Sequence, residues 1–159
     1  MTDWSNWMIG GKPMPPNETL DHMGQLTDAQ RIVFADKRNR IEFDNDLRRT
    51  VRKIDLDDEQ LPQSFGLRCD GILVGSADLE LHEHYVELKG SDIGHAVAQL
   101  TNTLVRLSRN PTRQRKSCHV ISARIPKAGT DIQIAKVRFL RQYAAFLNFK
   151  TRGATVRLS

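Results

Sequence analysis

The amino-acid sequence predicts an α/β protein with a mixed central sheet flanked by helices and closed by a C-terminal hairpin. Three observations carry that reading. Stretches of strand composition recur at 49–56, 67–75, 84–90 and 117–125. Between the third and fourth the period changes, and Ile93, Val97, Leu100, Leu104 and Leu107 step by 4, 3, 4 and 3, an apolar stripe along a helix. The resulting order of helix, three strands, helix, strand, helix and hairpin belongs to one layered body.

Taken in order, residues 1–25 read as an N-terminal arm, loose or surface-docked. "MTDWSNWMIGGKPMPPNETL" mixes Gly, Pro and polar residues without a period, and Trp4 and Trp7 are its candidate anchors. Residues 26–159 then form a single domain, long enough to bury a core. "LTDAQRIVF", 26–34, opens with Thr27 or Asp28 as N-cap and reads as a short helix. Arg49–Leu56 is a strand ended by an acidic loop with a Pro, and "LRCDGILVG" and "HYVELKG" follow as a hairpin across "SADLELHE". Asp92 caps the long helix, whose polar edge carries His95, Gln99, Asn102 and Arg106. After the basic loop "SRNPTRQRKS" come the strand "SCHVISARI" and a helix capped by Thr130 or Asp131. "AFLNFK", "RG" and "ATVRLS" read as the closing hairpin.

Composition narrows the class. With 39% apolar and 27% charged residues, no apolar run approaches the length of a membrane span and no signal segment opens the chain. Cys69 and Cys118 offer neither a disulfide framework nor a zinc spacing, so the expected setting is reduced and cytoplasmic. Charge is divided unevenly. Residues 101–159 hold 13 Lys and Arg against Asp131 alone, whereas residues 1–100 carry a net of −7. A half so basic is either a solvated face or the footprint of a polyanion.

The strand at 84–90 poses the functional question, because Glu87 and Lys89 interrupt an apolar run. Alternation puts Tyr85, Glu87 and Lys89 on one face and Val86 and Leu88 on the other. The preceding strand brings Asp70, and a hairpin sets it beside Glu87 and Lys89. Two adjacent carboxylates repel, and one is driven toward protonation unless a cation lies between them. A hard divalent ion such as Mg²⁺ meets that need. The lysine then orients or deprotonates a water, or offsets charge on a phosphorane-like transition state. Against this stands the plainer reading of an exposed Glu87–Lys89 ion pair.

Asp70, 16 intervening residues, then Glu87-Leu88-Lys89 and a helix resembles the PD-(D/E)xK nuclease superfamily. The resemblance covers roughly residues 45–125 and implies the restriction-endonuclease-like αβββαβ core. It also implies Mg²⁺ (or Mn²⁺) held by Asp70, Glu87 and the carbonyl of Leu88, with Lys89 assisting the hydrolytic water and Gln99 joining from the helix. Cys69, where the pattern has Pro, is a departure at a variable position. Metal-dependent hydrolysis of phosphodiester bonds follows as the expected activity, on nucleic acid and DNA before RNA. A homodimer or a partner subunit would supply substrate selection, and defence against foreign DNA is a role associated with the fold. The alternative is a catalytically silent nuclease-fold protein that binds nucleic acid or another protein.

Further residues each carry two readings. Arg106, Arg109, Arg113, Arg115 and Lys116 form a basic cluster that grips phosphates or is a solvated loop. His82 and His84 share a strand face, as a zinc pair with no third ligand in sequence or as solvated loop histidines. His95 is a site neighbour or polar surface, Asp92 (with Ser91) a helix cap or a support to the site, and Glu42 an added carboxylate on an upstream helix. The two cysteines read as small apolar core groups.

Overall fold

Gly71–Gly75, "GILVG", buries every residue, which a strand does only when both faces of its sheet are covered. The structure, a computed structural model, describes residues 8–9, 12–13, 20–56, 61–75, 82–88, 92–124 and 129–158. Its strands are β1 (Met8–Ile9), β2 (Lys12–Pro13), β3 (Gln25–Thr27), β4 (Arg31–Ala35), β5 (Arg40–Asp44), β6 (Val51–Asp55), β7 (Gly71–Gly75) and β8 (Glu83–Leu88). Helix α1 (Ile93–Leu107), β9 (Lys116–Ser122), α2 (Thr130–Tyr143), β10 (Ala145–Thr151) and β11 (Gly153–Arg157) complete them.

The main sheet has the order β10-β9-β8-β7-β6-β3. Strands β6, β7 and β8 form an antiparallel meander, with Gly71 opposite Val86 and Ile72 opposite Tyr85. Helix α1 then crosses over so that β9 lies parallel to β8, and α2 repeats the move so that β10 lies parallel to β9. Parallel neighbours need such crossovers, and the apolar stripe of α1 seats them on the sheet. Ile54, Ile72, Tyr85, Cys118 and Leu147 meet Leu100, Leu104 and Phe139 of the helices in one core.

The opposite face is covered by a second sheet, of order β11-β5-β4. Its inward residues Ile32, Phe34, Ile41 and Phe43 pack on Val51, Leu73, Val86, Leu88 and Ile121. The protein is therefore an α/β sandwich of three layers, with helices on one face of the mixed sheet and strands on the other. Gly71 marks how close the two sheets come, since a Cβ there would collide with the Phe34 ring.

Four expectations are corrected. Residues 26–34 are not a helix. Ile32 and Phe34 are buried while Arg31 and Ala35 are open, a strand alternation, and Thr27 uses its capping hydroxyl within a turn, accepting from Ala29 N at 3.1 Å. Helices do not flank both faces of the sheet. The C-terminal strands are not a hairpin, because β10 pairs with β9 while β11 joins the other sheet beside β5. Only Arg152, at φ +60°, separates them, too short a link for the two-residue turn a hairpin needs. The boundary at residue 25 also falls late. Leu20 and Met23 are buried in the helix-side core, so residues 20–25 belong to the body of the domain. Trp4, Trp7, Lys89 and Ser91 lie outside the described residues. No helix among the described residues is long and apolar enough to cross a membrane.

Candidate functional site

Helix α1 builds the approach to the site. Its edge residues reach the segment before β7: Thr103 Oγ1 accepts from Cys69 N at 2.9 Å, and Gln99 Nε2 donates to the Arg68 carbonyl at 3.1 Å. Asn102 donates to the carbonyls of Phe65 and Leu67 at 3.1 and 2.6 Å. The polar edge thus clamps residues 65–69 and fixes where the next residue, Asp70, points. Asp92 starts the helix, accepting from His95 N at 3.1 Å.

Asp70 is held in turn by β8. Its N–H donates to the Val86 carbonyl at 2.9 Å, and its Oδ2 accepts from Leu88 N at 2.6 Å. Continuing the register of Gly71 opposite Val86 puts Asp70 directly across from Glu87. The expected pairing of these two carboxylates is what the structure has. They differ in setting, since Asp70 is exposed whereas Glu87 is only 5% exposed.

Glu87 is the anomalous member. Its Oε1 is buried without a hydrogen-bond partner, and so is the Oε1 of Gln99. A buried oxygen with no donor forfeits its hydration for nothing in return. Burial first, and the Asp70 carboxylate second, push the Glu87 carboxyl up to about 9, with the Gln99 amide easing the shift. Gln99 gives an amide N–H to the Arg68 carbonyl, and its buried oxygen is left without a partner. Two unpartnered acceptors beside an exposed carboxylate form a donor set suited to a hard cation that keeps several waters. Among the described residues no group of three or more His, Cys, Asp or Glu side chains is placed to hold a metal. The residues present therefore fit an ion bound through two carboxylates, an amide and solvent, and do not fit a closed all-protein cage. Leu88 turns its side chain into the second-sheet core, and Lys89 lies outside the described residues.

The basic cluster divides. Lys116 is fully buried, and its ammonium donates to the carbonyls of Asn110, Pro111, Gln114 and Tyr143 at 2.5–3.1 Å. It pins a loop and the end of α2, and is no phosphate ligand. Arg109 pairs with Asp21 at 2.9 Å and donates to the Gly75 carbonyl. Arg106 bonds Asn102 and lies over the Phe65 ring. Only Arg113 and Arg115 are open. They stand at the start of β9, beside the start of β8, whereas Glu87 lies near the end of β8, so the loop that presents them is at the far end of the sheet from Asp70 and Glu87. Sequence adjacency to the helix exit concealed this, because a helix carries the chain back across the sheet.

Other candidates resolve by contact. Glu42 sits on β5, not on a helix, and its carboxylate faces Arg31 and Arg40 at 3.5 and 3.1 Å. His84 is buried, its Nδ1 3.1 Å from His119 Nε2, and His82 Nε2 is 2.8 Å from Ser117 Oγ. His119 was legible in principle, since with Cys118 and Val120 facing the helices it must face the other sheet with His84. Burial lowers both rings, His119 to about 4, and they stack beside Phe43 as neutral core groups. Both cysteines are buried and free, with the Cys69 thiol pushed up by burial to about 12.

The chain matches no protein-family model, no curated protein and no solved structure.

Proposed function

We propose that the chain is a metal-dependent nuclease of PD-(D/E)xK type that hydrolyses phosphodiester bonds in nucleic acid, with DNA the favoured substrate. The observation that carries this reading is the buried Glu87 carboxyl, with its Oε1 unpartnered, set across from Asp70 at the ends of two central strands. A core without chemistry to do has little reason to keep it, since a leucine there would cost less. The meander β6-β7-β8, the crossover α1 and the parallel β9 supply the three-strand, helix, strand part of the restriction-endonuclease-like arrangement. The leading helix of that arrangement has no counterpart in 26–34.

In this reading Asp70 and Glu87 hold Mg²⁺, which would supply positive charge at the phosphate and a more acidic water. With such an ion Glu87 would be held as the carboxylate, because the charge that burial and Asp70 disfavour would be neutralised. Asp70 keeps its aim through the Leu88 N–H, and Gln99 keeps its through the Arg68 carbonyl. Lys89, two residues beyond Glu87 in the sequence, would orient the attacking water or offset charge on the phosphorane. With Lys116 and Arg109 committed to the fold, substrate would be gripped elsewhere or by a second subunit.

Cleavage of supercoiled plasmid with Mg²⁺ or Mn²⁺ tests this. Nicking lost in Asp70→Ala, in Lys89→Ala and in EDTA supports the assignment. Nicking that survives Asp70→Ala overturns it. A silent binding protein is the second reading, favoured by there being no third His, Cys, Asp or Glu placed to hold a metal with the two carboxylates among the described residues. It predicts nucleic-acid binding that is metal-independent and indifferent to Asp70→Ala.

A further inference from the structure

A cavity of about 670 Å³ opens at the other end of the same strands, where β8 begins and β7 ends. Four arginines line it, Arg49, Arg113, Arg115 and Arg157, and among the described residues no aspartate or glutamate does. Among those residues only Arg157 of the four has an acidic partner, Asp46 at 3.5 Å, with both side chains open to solvent. Like charges gathered in a concavity favour an anion that joins them.

The loop that presents two of these cations is held in place. Asn110 Oδ1 accepts from Thr112 N and Arg113 N at 3.3 and 3.2 Å, an Asx-type turn. Beneath it the buried Lys116 ammonium binds the carbonyls of Asn110, Pro111 and Gln114. A fully buried cation thus ties this loop down at three carbonyls, and Arg113 and Arg115 of the loop line the cavity. Val51, Leu73 and Val156 add an apolar part to its lining. His82 and Ser117, 2.8 Å apart, add polar groups beside the arginines.

We propose that this cavity binds a nucleotide-type phosphate ester. The guanidinium groups of Arg49, Arg113 and Arg115 take the phosphates, which their planar forks match. Val51, Leu73 and Val156 take the apolar body. The volume lies within the roughly 300–1,000 Å³ of small-ligand pockets, and a mixed cationic and apolar lining suits a compact amphipathic anion better than a polymer backbone.

Calorimetric titration of the full chain in EDTA with ATP, AMP, inorganic pyrophosphate and adenosine tests the proposal. ATP and AMP should bind more tightly than pyrophosphate, and adenosine far more weakly than AMP. Arg113→Ala/Arg115→Ala should weaken ATP by about tenfold or more, since each guanidinium removed takes its charge-assisted hydrogen bonds to phosphate with it. Both side chains are exposed, so this variant should melt like wild type, and Arg49→Ala provides an independent loss. Asp70→Asn should leave ATP binding unchanged, so failure of the nuclease reading would not touch this one. Absence of nucleotide binding by wild type, unchanged affinity in the arginine variants, or a short DNA duplex that binds while nucleotides fail to displace it would each overturn the proposal.

Discussion

Glu87→Gln isolates the strain at the carboxylate pair. The Glu87 carboxyl is raised from 4.5 to about 9, so without a cation the folded protein holds a proton there that the unfolded chain releases. The sign follows from linkage. A raised carboxyl is fully compatible with folding below about pH 4.5, and stability is lost as pH climbs through the window from 4.5 to about 9. Within the window the slope is about 1.4 kcal/mol per pH unit for one proton, whatever the final value. The buried histidines titrate mainly around and below pH 6.5, and their share is common to both proteins. Between roughly pH 6.5 and 8.5 wild type should therefore lose about 2.5 kcal/mol relative to Glu87→Gln, whose amide is neutral throughout. For a domain of this size that is roughly 5–10 °C in melting temperature. Urea unfolding of both proteins in EDTA across the interval measures it, and comparing the two cancels every other titrating group. Curves that run parallel would mean that Glu87 is as free to ionise in the fold as in the open chain, and that the carboxylate pair is not strained.

Lys116→Met should destabilise the fold by about 3 kcal/mol in chemical denaturation, because it leaves carbonyls of the 110–114 loop and the end of α2 without their donor. Acid should also weaken the protein through the His84–His119 pair. A ring held neutral contributes stability that is present above about pH 6.5 and lost as pH falls toward 4, roughly 3 kcal/mol for His119. His119→Gln should flatten that acid limb in urea titrations, and a limb as steep as in wild type would contradict the assignment.

Much of the architecture was legible because its signals are local. The stripe from Ile93 to Leu107 and the cap at Asp92 set the limits of α1, and strand alternation assigned Glu87 its face. Asp70 opposite Glu87 followed from the hairpin between two apolar strands. What stayed hidden was set by partners far along the chain. The pattern of 26–34 carries both a capping threonine and a period-two alternation, and the alternation won because a sheet face needed covering. Strand β11 joined β5, more than a hundred residues away, and nothing in "RG" announces that. The basic cluster misled for a related reason, since neither the burial of Lys116 nor the recruitment of Arg109 by Asp21 can be read from a run of charges.

If Asp70 and Glu87 hold a divalent cation, calorimetric titration of Mn²⁺ at about pH 8 detects it without reference to any substrate. Wild type should show one site, with a proton released on binding that appears as a dependence of the measured heat on buffer ionisation enthalpy. That site should be lost in Asp70→Asn and Glu87→Gln. Mn²⁺ that fails to bind wild type, or that binds Glu87→Gln as well as wild type with the same proton release, would contradict a cation held by these two carboxylates.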